Sequence, residues 1–474
     1  MDKDLSSIQQ ARDMIALAGE AAAAASELTQ AQVDIIVEAM AIAGYDHAGE
    51  LAQMAVEETG FGKYEDKVIK NRIASRNLFE YIKDMKTAGV ITEDNENGLW
   101  EVAVPVGVVT ALIPSTNPTS TTIYKCIICM KSRNPVILSP HPAARRAIAR
   151  ACEIMLEAAV GHGAPENMFQ CLSEVHMAGT NELMKNDGVA LILATGGRDM
   201  VRAAYSSGRP ALGVGPGNVP AFIERSADIP EAVRRIIASK TFDNGVICAS
   251  EQSVVTENCI AERVADEMAR QGCYFLSDGE AAAVARIMTR APGKLNPGIV
   301  GHTACDIASM AGLKLPGNTK VMVYKEKGVG DKYPFSIEKL SPILAFYSEE
   351  DWHSACLLCI KLLNYNGAGH SMAIHSQNMD IIREFSLRKP VSRLLVNTPA
   401  SQGAVGATTA LAPSFTLGCG AVGGSATSDN VTPLHLINIR RVAFGKDAPQ
   451  SADGGCGQDV QAITRRVMEL LKTM

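Results

Sequence analysis

A repeated scheme runs through the first half of this chain and leaves few folds open to it. GVVTALIPSTNP (107–118) is a β-rich apolar run that stops in a turn. PVILSP (135–140) is another, followed by the helical AARRAIARACEIMLEAAV, and ALILATGG (190–197) repeats the arrangement with a helix after it. Short apolar runs bounded by turn formers read as buried strands. Strands that alternate with helices pair in parallel, and the helices cover both faces of the sheet. Sheets of this kind bind ligands at the carboxyl ends of their strands. STNPTS, SPHP and TGG stand at three such ends.

The flanking segments complete an α/β chain. The first 86 residues read as helices: AGEAAAAASELTQAQVDIIVEAMAIAG has apolar residues at helical spacing, and ELAQMAVEETGFG ends on a glycine stop. A second α/β region begins near Pro220 and continues past residue 420, with LLVNTPA (394–400) as one strand. LWEVAVPVG (99–107) and LHLINIRRVAFG (434–445) both alternate, and they are expected to pair as a small sheet suited to subunit contact. KDAPQSADGGCGQ (446–458) reads as a linker. In the DVQAITRRVMELLKTM that follows, Val460, Ile463, Val467, Leu470, Leu471 and Met474 fall on one helical face.

Composition excludes several classes of function. Aromatics are 5% and net charge is −6 with no long basic run, which argues against nucleic-acid binding. No stretch of about 20 apolar residues exists to span a membrane, and the acidic, polar start MDKDLSSIQQ is not a secretory signal. Twelve cysteines are scattered. The C-x2-C pairs Cys126/Cys129 and Cys356/Cys359 lie in apolar segments, where cysteine serves as a small hydrophobe, so no metal is expected. The expectation is a free-thiol cytoplasmic enzyme.

The chemistry centres on SKTFDNGVICASEQSVV (239–255), where Cys248 stands among small neighbours that leave room for a carbonyl carbon. With it come IPSTNPTST (113–121), ATGG (194–197), GVGPGN (213–218) and EKLSPIL (338–344). In this order the segments resemble the aldehyde dehydrogenase superfamily, over roughly residues 1–445. AYSSGRPALGVGPGNVP and KTFDNGVICASEQS are similar, more narrowly, to its coenzyme-A-acylating members. These include the aldehyde dehydrogenase half of bifunctional aldehyde–alcohol dehydrogenases and related enzymes of bacterial microcompartments. The resemblance implies a dinucleotide-binding domain at 1–98 and 107–219 and a catalytic thiol domain at 220–430. It further implies oligomerisation strands at 99–106 and 431–445, with 446–474 as linker and amphipathic helix. Cys248 is then the nucleophile, and the Asn117 amide forms an oxyanion hole with a backbone N–H. Glu338 holds the nicotinamide ribose. Ser115, Thr116, Thr195, Gly196, Gly197 and Gly215 line the cofactor. Ser139 and His141 stand where the superfamily more often has a lysine at the adenine ribose. His370, in a G-x-G-H string, belongs near the site without an assigned role. Taken alone, Asn117 reads as a turn cap before Pro118, Glu338 as a solvated carboxylate, and Thr195–Gly197 as a plain βα turn. No G-x-G-x-x-G follows a strand in the usual register, which argues against an ordinary Rossmann dehydrogenase.

Hydrolytic members place a glutamate in the motif that aligns with residues 212–218, whereas Leu212–Asn218 here holds no Asp, Glu or His. Without that base water is a poor nucleophile, and an acyl-enzyme can wait for a thiol. The expected reaction takes a short aldehyde, acetaldehyde before propionaldehyde, with NAD and coenzyme A to acyl-CoA and NADH. Both cofactors carry adenosine diphosphate, so overlapping sites are expected. A sulfoacetaldehyde-type acylating enzyme and a non-catalytic scaffold are the alternatives. The resemblance also implies a homodimer or tetramer, and a place inside a microcompartment whose shell residues 459–474 would address.

Overall fold

The computed structural model describes residues 2–445. The chain opens with α1 (Lys3–Ser26), α2 (Gln30–Asp46), α3 (Ala48–Thr59), α4 (Tyr64–Arg72) and, after a π-helical turn at Ile73–Asn77, α5 (Leu78–Ile82). Thr29 and Gln32 form a capping box that starts α2. Gly60, at φ 69°, ends α3 in the left-handed conformation that a side chain would disfavour.

Two strands follow, β1 (Gly89–Asp94) and β2 (Leu99–Pro105), and then the first large sheet. It is built from β3 (Val109–Ile113), β4 (Val136–Pro140), β5 (Phe169–Cys171), β6 (Leu191–Thr195) and β7 (Ala211–Val214). The order is β5-β4-β3-β6-β7, and every pair is parallel. Both β3 and β4 are buried throughout, as strands covered on two faces must be. Helix α6 (Pro118–Lys131) is buried over its whole length, which explains why its cysteines stand among Ile and Met.

The second sheet contains β8 (Val219–Ile223), β9 (Glu251–Glu257) and β10 (Cys273–Phe275). A hairpin, β11 (Thr289–Ala291) with β12 (Lys294–Leu295), stands apart from it. The remaining strands are β13 (Val321–Lys325), β14 (Ile343–Glu349), β15 (Gly369–His375) and β16 (Val391–Val396), in the parallel order β10-β13-β14-β9-β8-β15-β16. Alternation along β8 serves two cores. Ala221 and Ile223 pack with Val233 and Ile236, while Phe222 turns to the other face and stacks on Phe385 at 4.8 Å.

Strand order locates the site. In the first sheet the order reverses between β3 and β6, the switch point where a crevice opens at the carboxyl ends. Ser115–Asn117 and Thr195–Gly197 follow those two ends. The second sheet departs from the carboxyl-end expectation: Gly217 precedes β8, Cys248 precedes β9, and His370 lies at the start of β15. These neighbouring strands bring their amino ends together.

The two large sheets belong to one compact unit, residues 2–89 with 103–438, and among the described residues 90–102 with 439–445 form another. β17 (Ile437–Ala443) joins a three-stranded sheet of order β1-β2-β17. β1 corrects the expected boundary, because GVITED was assigned to the first domain. It is a mostly exposed strand with no apolar alternation to announce it. Val431 and Leu436 are buried with the first core rather than with the small sheet. Within the small unit Trp100 meets Phe444 edge-on at 5.2 Å. The linker and helix expected at 446–474 lie outside the described residues. Among the described residues no helix is long and apolar enough to cross a membrane.

Candidate active site

Helix α10 (Ile229–Thr241) ends at Phe242, and the chain then takes three left-handed residues in succession, Asp243 (φ 51°), Asn244 (φ 52°) and Gly245 (φ 77°). Two of these carry side chains, so the turn stores strain. It is held by what Asp243 binds. The carboxylate accepts the Lys63 backbone N–H at 2.7 Å, the Lys67 ammonium at 3.0 Å and the Lys70 ammonium at 2.5 Å. The Asp243 N–H donates to Asp66 at 2.7 Å, and Asn244 donates to the Gly301 carbonyl at 2.8 Å. Lys67 and Lys70 are three apart on α4, so both reach inward from one face. Burial pushes the Lys70 ammonium down to about 8 and raises Asp66.

This turn delivers Cys248, half-buried, ahead of β9. Burial and then the negative field of Glu338 push its thiol up to about 12, while Arg393 acts in the opposite sense. Lys70 links the thiol loop to Asn117: it donates to the Val246 carbonyl and to Asn117 Oδ1, each at 2.7 Å.

Gly217 occupies the tightest position on the other side. A Cβ there would collide with the Cys248 carbonyl oxygen and stand 3.3 Å from His370 Cγ, so only glycine fits. Its N–H donates to Glu338 at 3.0 Å. Burial lifts the Glu338 carboxyl to about 7 against the pull of that N–H. His370 is fully buried, and its Nδ1 lies 3.1 Å from Ser371 Oγ, with no partner at Nε2. Burial and the nearby Arg393 charge lower it to about 3, so it is neutral near pH 7. Arg393 ties this corner together by donating to the carbonyls of His370 (3.0 Å) and Gly418 (2.6 Å) and to Asn430 (3.1 Å).

A cavity of about 410 Å³ opens beside Gly215 and Pro216, with Arg198, Arg202, Asn366 and Cys419 on its walls. Arg198 and Arg202 belong to α9 (Arg198–Tyr205), whose N-cap is Gly197. The Thr195 hydroxyl is buried without a partner, and Glu338 keeps carboxylate oxygen beyond its one backbone donor. A positively walled cleft, an unused hydroxyl and a half-buried carboxyl suit a dinucleotide and coenzyme A, so these residues fit such groups.

The structure thus brings Cys248, Asn117, Glu338 and His370 into one neighbourhood, with Gly215 on the cavity wall. Ser115 and Thr116 lead into Asn117, and both are partly exposed. Ser139 is 5% exposed, with its hydroxyl 2.9 Å from that of Thr180, while His141 is exposed and accepts the Ala143 N–H. Of that pair, only His141 faces solvent. Val214 is 3% exposed, and residues 212–218 bring no carboxylate to the thiol. Sequence reasoning missed Lys67, Lys70, Asp243 and Arg393. Their partners lie too far along the chain for any local pattern to pair them, 173 positions for Lys70 and Asp243. Among the described residues no group of three or more His, Cys, Asp or Glu could hold a metal.

The family model for the aldehyde dehydrogenase family matches residues 4–272. The bifunctional aldehyde-alcohol dehydrogenase of Escherichia coli is 45% identical over 88% of this chain, which covers 47% of that protein. The chain thus spans about half the length of the first curated relatives it matches. An acetylating aldehyde dehydrogenase from Geobacillus thermoglucosidasius has a similar structure, with a TM-score of 0.92 and 51% identity, covering 94% of this chain and 98% of that one. A propionaldehyde dehydrogenase of Rhodopseudomonas palustris, solved with bound CoA and an acylated cysteine, gives a TM-score of 0.81 at 26% identity over 92% and 97% of the two chains.

Proposed function

The chain belongs to the aldehyde dehydrogenase family, and from that premise we propose that it is an acylating aldehyde dehydrogenase. It converts a short aldehyde, acetaldehyde before propionaldehyde, to an acyl-CoA through a thioester on Cys248. The observation that carries this reading is the pairing of a strained, anchored cysteine turn with a 212–218 segment that brings no carboxylate to the thiol. The acylated cysteine and bound CoA of the Rhodopseudomonas enzyme support it.

When bound, NAD would supply the hydride acceptor, and coenzyme A would supply the thiol that takes the acyl group. The chain's own residues do the rest. Cys248 loses its proton to solvent and its sulfur adds to the aldehyde carbon, whose C–H bond then breaks with loss of hydride to the acceptor, leaving the thioester. The Asn117 amide and a backbone N–H stabilise the oxyanion that forms. Once the acyl group is on sulfur, the absence of a carboxylate at 212–218 leaves water inactive toward it. Glu338 binds the nicotinamide ribose. Thr195, Gly196 and Gly197 at the end of β6 and His141 after β4 would border the adenosine diphosphate common to NAD and coenzyme A.

Assays with coenzyme A, with water alone and with phosphate test the reading. Steady acyl-CoA formation is expected with the first, and no sustained turnover with the others. Cys248→Ala should abolish oxidation in a folded protein. The sheet of β1, β2 and β17 is the surface proposed for a homodimer or tetramer, checked by light scattering. Residues 459–474 are proposed as an address for a microcompartment shell. Truncation at 446 should keep activity, and a fluorescent protein fused to 459–474 should co-purify with shells.

A further inference from the structure

Asn117 can stabilise an oxyanion only if its amide NH2 points at the substrate, and an amide fits its pocket equally well in two orientations that differ by exchange of nitrogen and oxygen. The Lys70 ammonium chooses between them. It carries three N–H donors and no lone pair. All three are committed, to Asn117 Oδ1 at 2.7 Å, Asp243 Oδ2 at 2.5 Å and the Val246 carbonyl at 2.7 Å. Facing such a group, Asn117 can present only its oxygen. The amide nitrogen is turned away, and its one protein partner is Thr116 Oγ1 at 3.4 Å, a contact long enough to yield to a substrate oxygen.

Charge balance alone does not fix where the Lys70 ammonium sits: Lys67 and Lys70 together face Asp243 and Asp66, and Lys67 already pairs with Asp243 at 3.0 Å. What Lys70 adds is the bridge between the two elements that must cooperate: the end of β3, which carries Asn117, and the loop of Cys248, reached through Val246. We propose that Lys70 is a positioning residue for aldehyde oxidation. It locks the Asn117 amide with its NH2 toward the substrate and fixes that amide against the nucleophile's loop. This rests on the oxyanion role of Asn117 proposed above.

The test is a double-mutant cycle of Lys70→Met and Asn117→Ala in the full-length enzyme, read by the single-turnover rate of NADH formation and by the KM for NAD. Lys70→Met should lower the rate on the order of 10²–10³-fold, the effect of losing one oxyanion donor, with KM for NAD unchanged. In the Asn117→Ala background the same substitution should cost no more than a few-fold. A wild-type rate for Lys70→Met, or costs that multiply in the double variant, overturns the proposal while leaving the Asn117 reading in place. A wild-type rate for Asn117→Ala alone overturns the oxyanion assignment itself. Should Lys70→Met fail to fold, Lys70→Gln takes its place, since its amide can offer either atom to Asn117 and so no longer selects. A fall of at least tenfold that vanishes in the Asn117→Ala background is then expected, and a wild-type Lys70→Gln rate refutes the lock.

Discussion

Replacing Asp243 with Asn should destabilise the protein and disable it together. The carboxylate is fully buried and answers two buried ammoniums, at 3.0 Å and 2.5 Å. Removing one member of a buried ion pair costs about 3–5 kcal/mol, because the remaining charge is stranded. Two features place the loss near the lower end. Asn tolerates the left-handed backbone that Asp243 adopts, so no conformational strain is added. Lys70 is already pushed down to about 8, so shedding its proton is a short step that relieves the stranded charge. Unfolding entropy is roughly 2.1 cal/mol/K per residue, or about 1 kcal/mol/K for 474 residues unfolding together. A loss of about 3 kcal/mol therefore lowers the melting temperature by about 3 °C. Differential scanning calorimetry at pH 7 and pH 9 measures it, and the deficit should shrink at pH 9, where Lys70 sheds its proton. Lys67→Met should restore part of the loss in the Asp243→Asn background, since one stranded ammonium is gone. An Asp243→Asn protein with unchanged melting temperature and turnover, or a deficit that grows with pH, would refute the reasoning.

Three further outcomes are expected. Gly217→Ala forces a Cβ into the Cys248 carbonyl and toward His370, so turnover should fall at least tenfold, read from steady-state rates; an active, folded variant would show that the neighbouring loops yield easily. In the protein without cofactors, iodoacetamide at pH 7 should label the exposed Cys259 well before Cys248, whose thiol burial holds up to about 12, with peptide mass mapping as the readout. Glu338 gives up its proton near pH 4.3 in the unfolded chain and near 7 in the folded one. Between those values the folded state holds more protons, so the contribution of Glu338 to stability falls as pH rises from about 4.3 toward 7. Glu338→Gln should flatten that decline in urea denaturation midpoints.

Legibility in the sequence followed the range of the interactions. β3, β4 and β6 could be read because each is an apolar run closed by its own turn residues, and the site residues at their ends came with them. Cys248 and Asn117 were legible through long motifs. The scaffold that sets their geometry was not. Lys70 looks like any helix lysine, Asp243 like a turn residue, and Arg393 like the polar position of a strand. Each acquires its role only when distant segments meet. β1 stayed hidden because an exposed edge strand needs no alternation, and β10, three residues long, is too short to carry a period. The departure from the carboxyl-end expectation has a similar origin. Where Cys248 stands relative to β9 can be read locally, but which strands lie beside β9 depends on crossovers that no local pattern encodes.

Thioester formation on Cys248 is tested most directly by mixing enzyme with NAD and acetaldehyde in the absence of coenzyme A, following NADH and mapping the protein by mass spectrometry. One equivalent of NADH per active site, an acetyl group on the peptide that carries Cys248, and turnover that starts on addition of coenzyme A are the predicted results. Continuous NADH production without coenzyme A, or acetyl on a different cysteine, would contradict the mechanism.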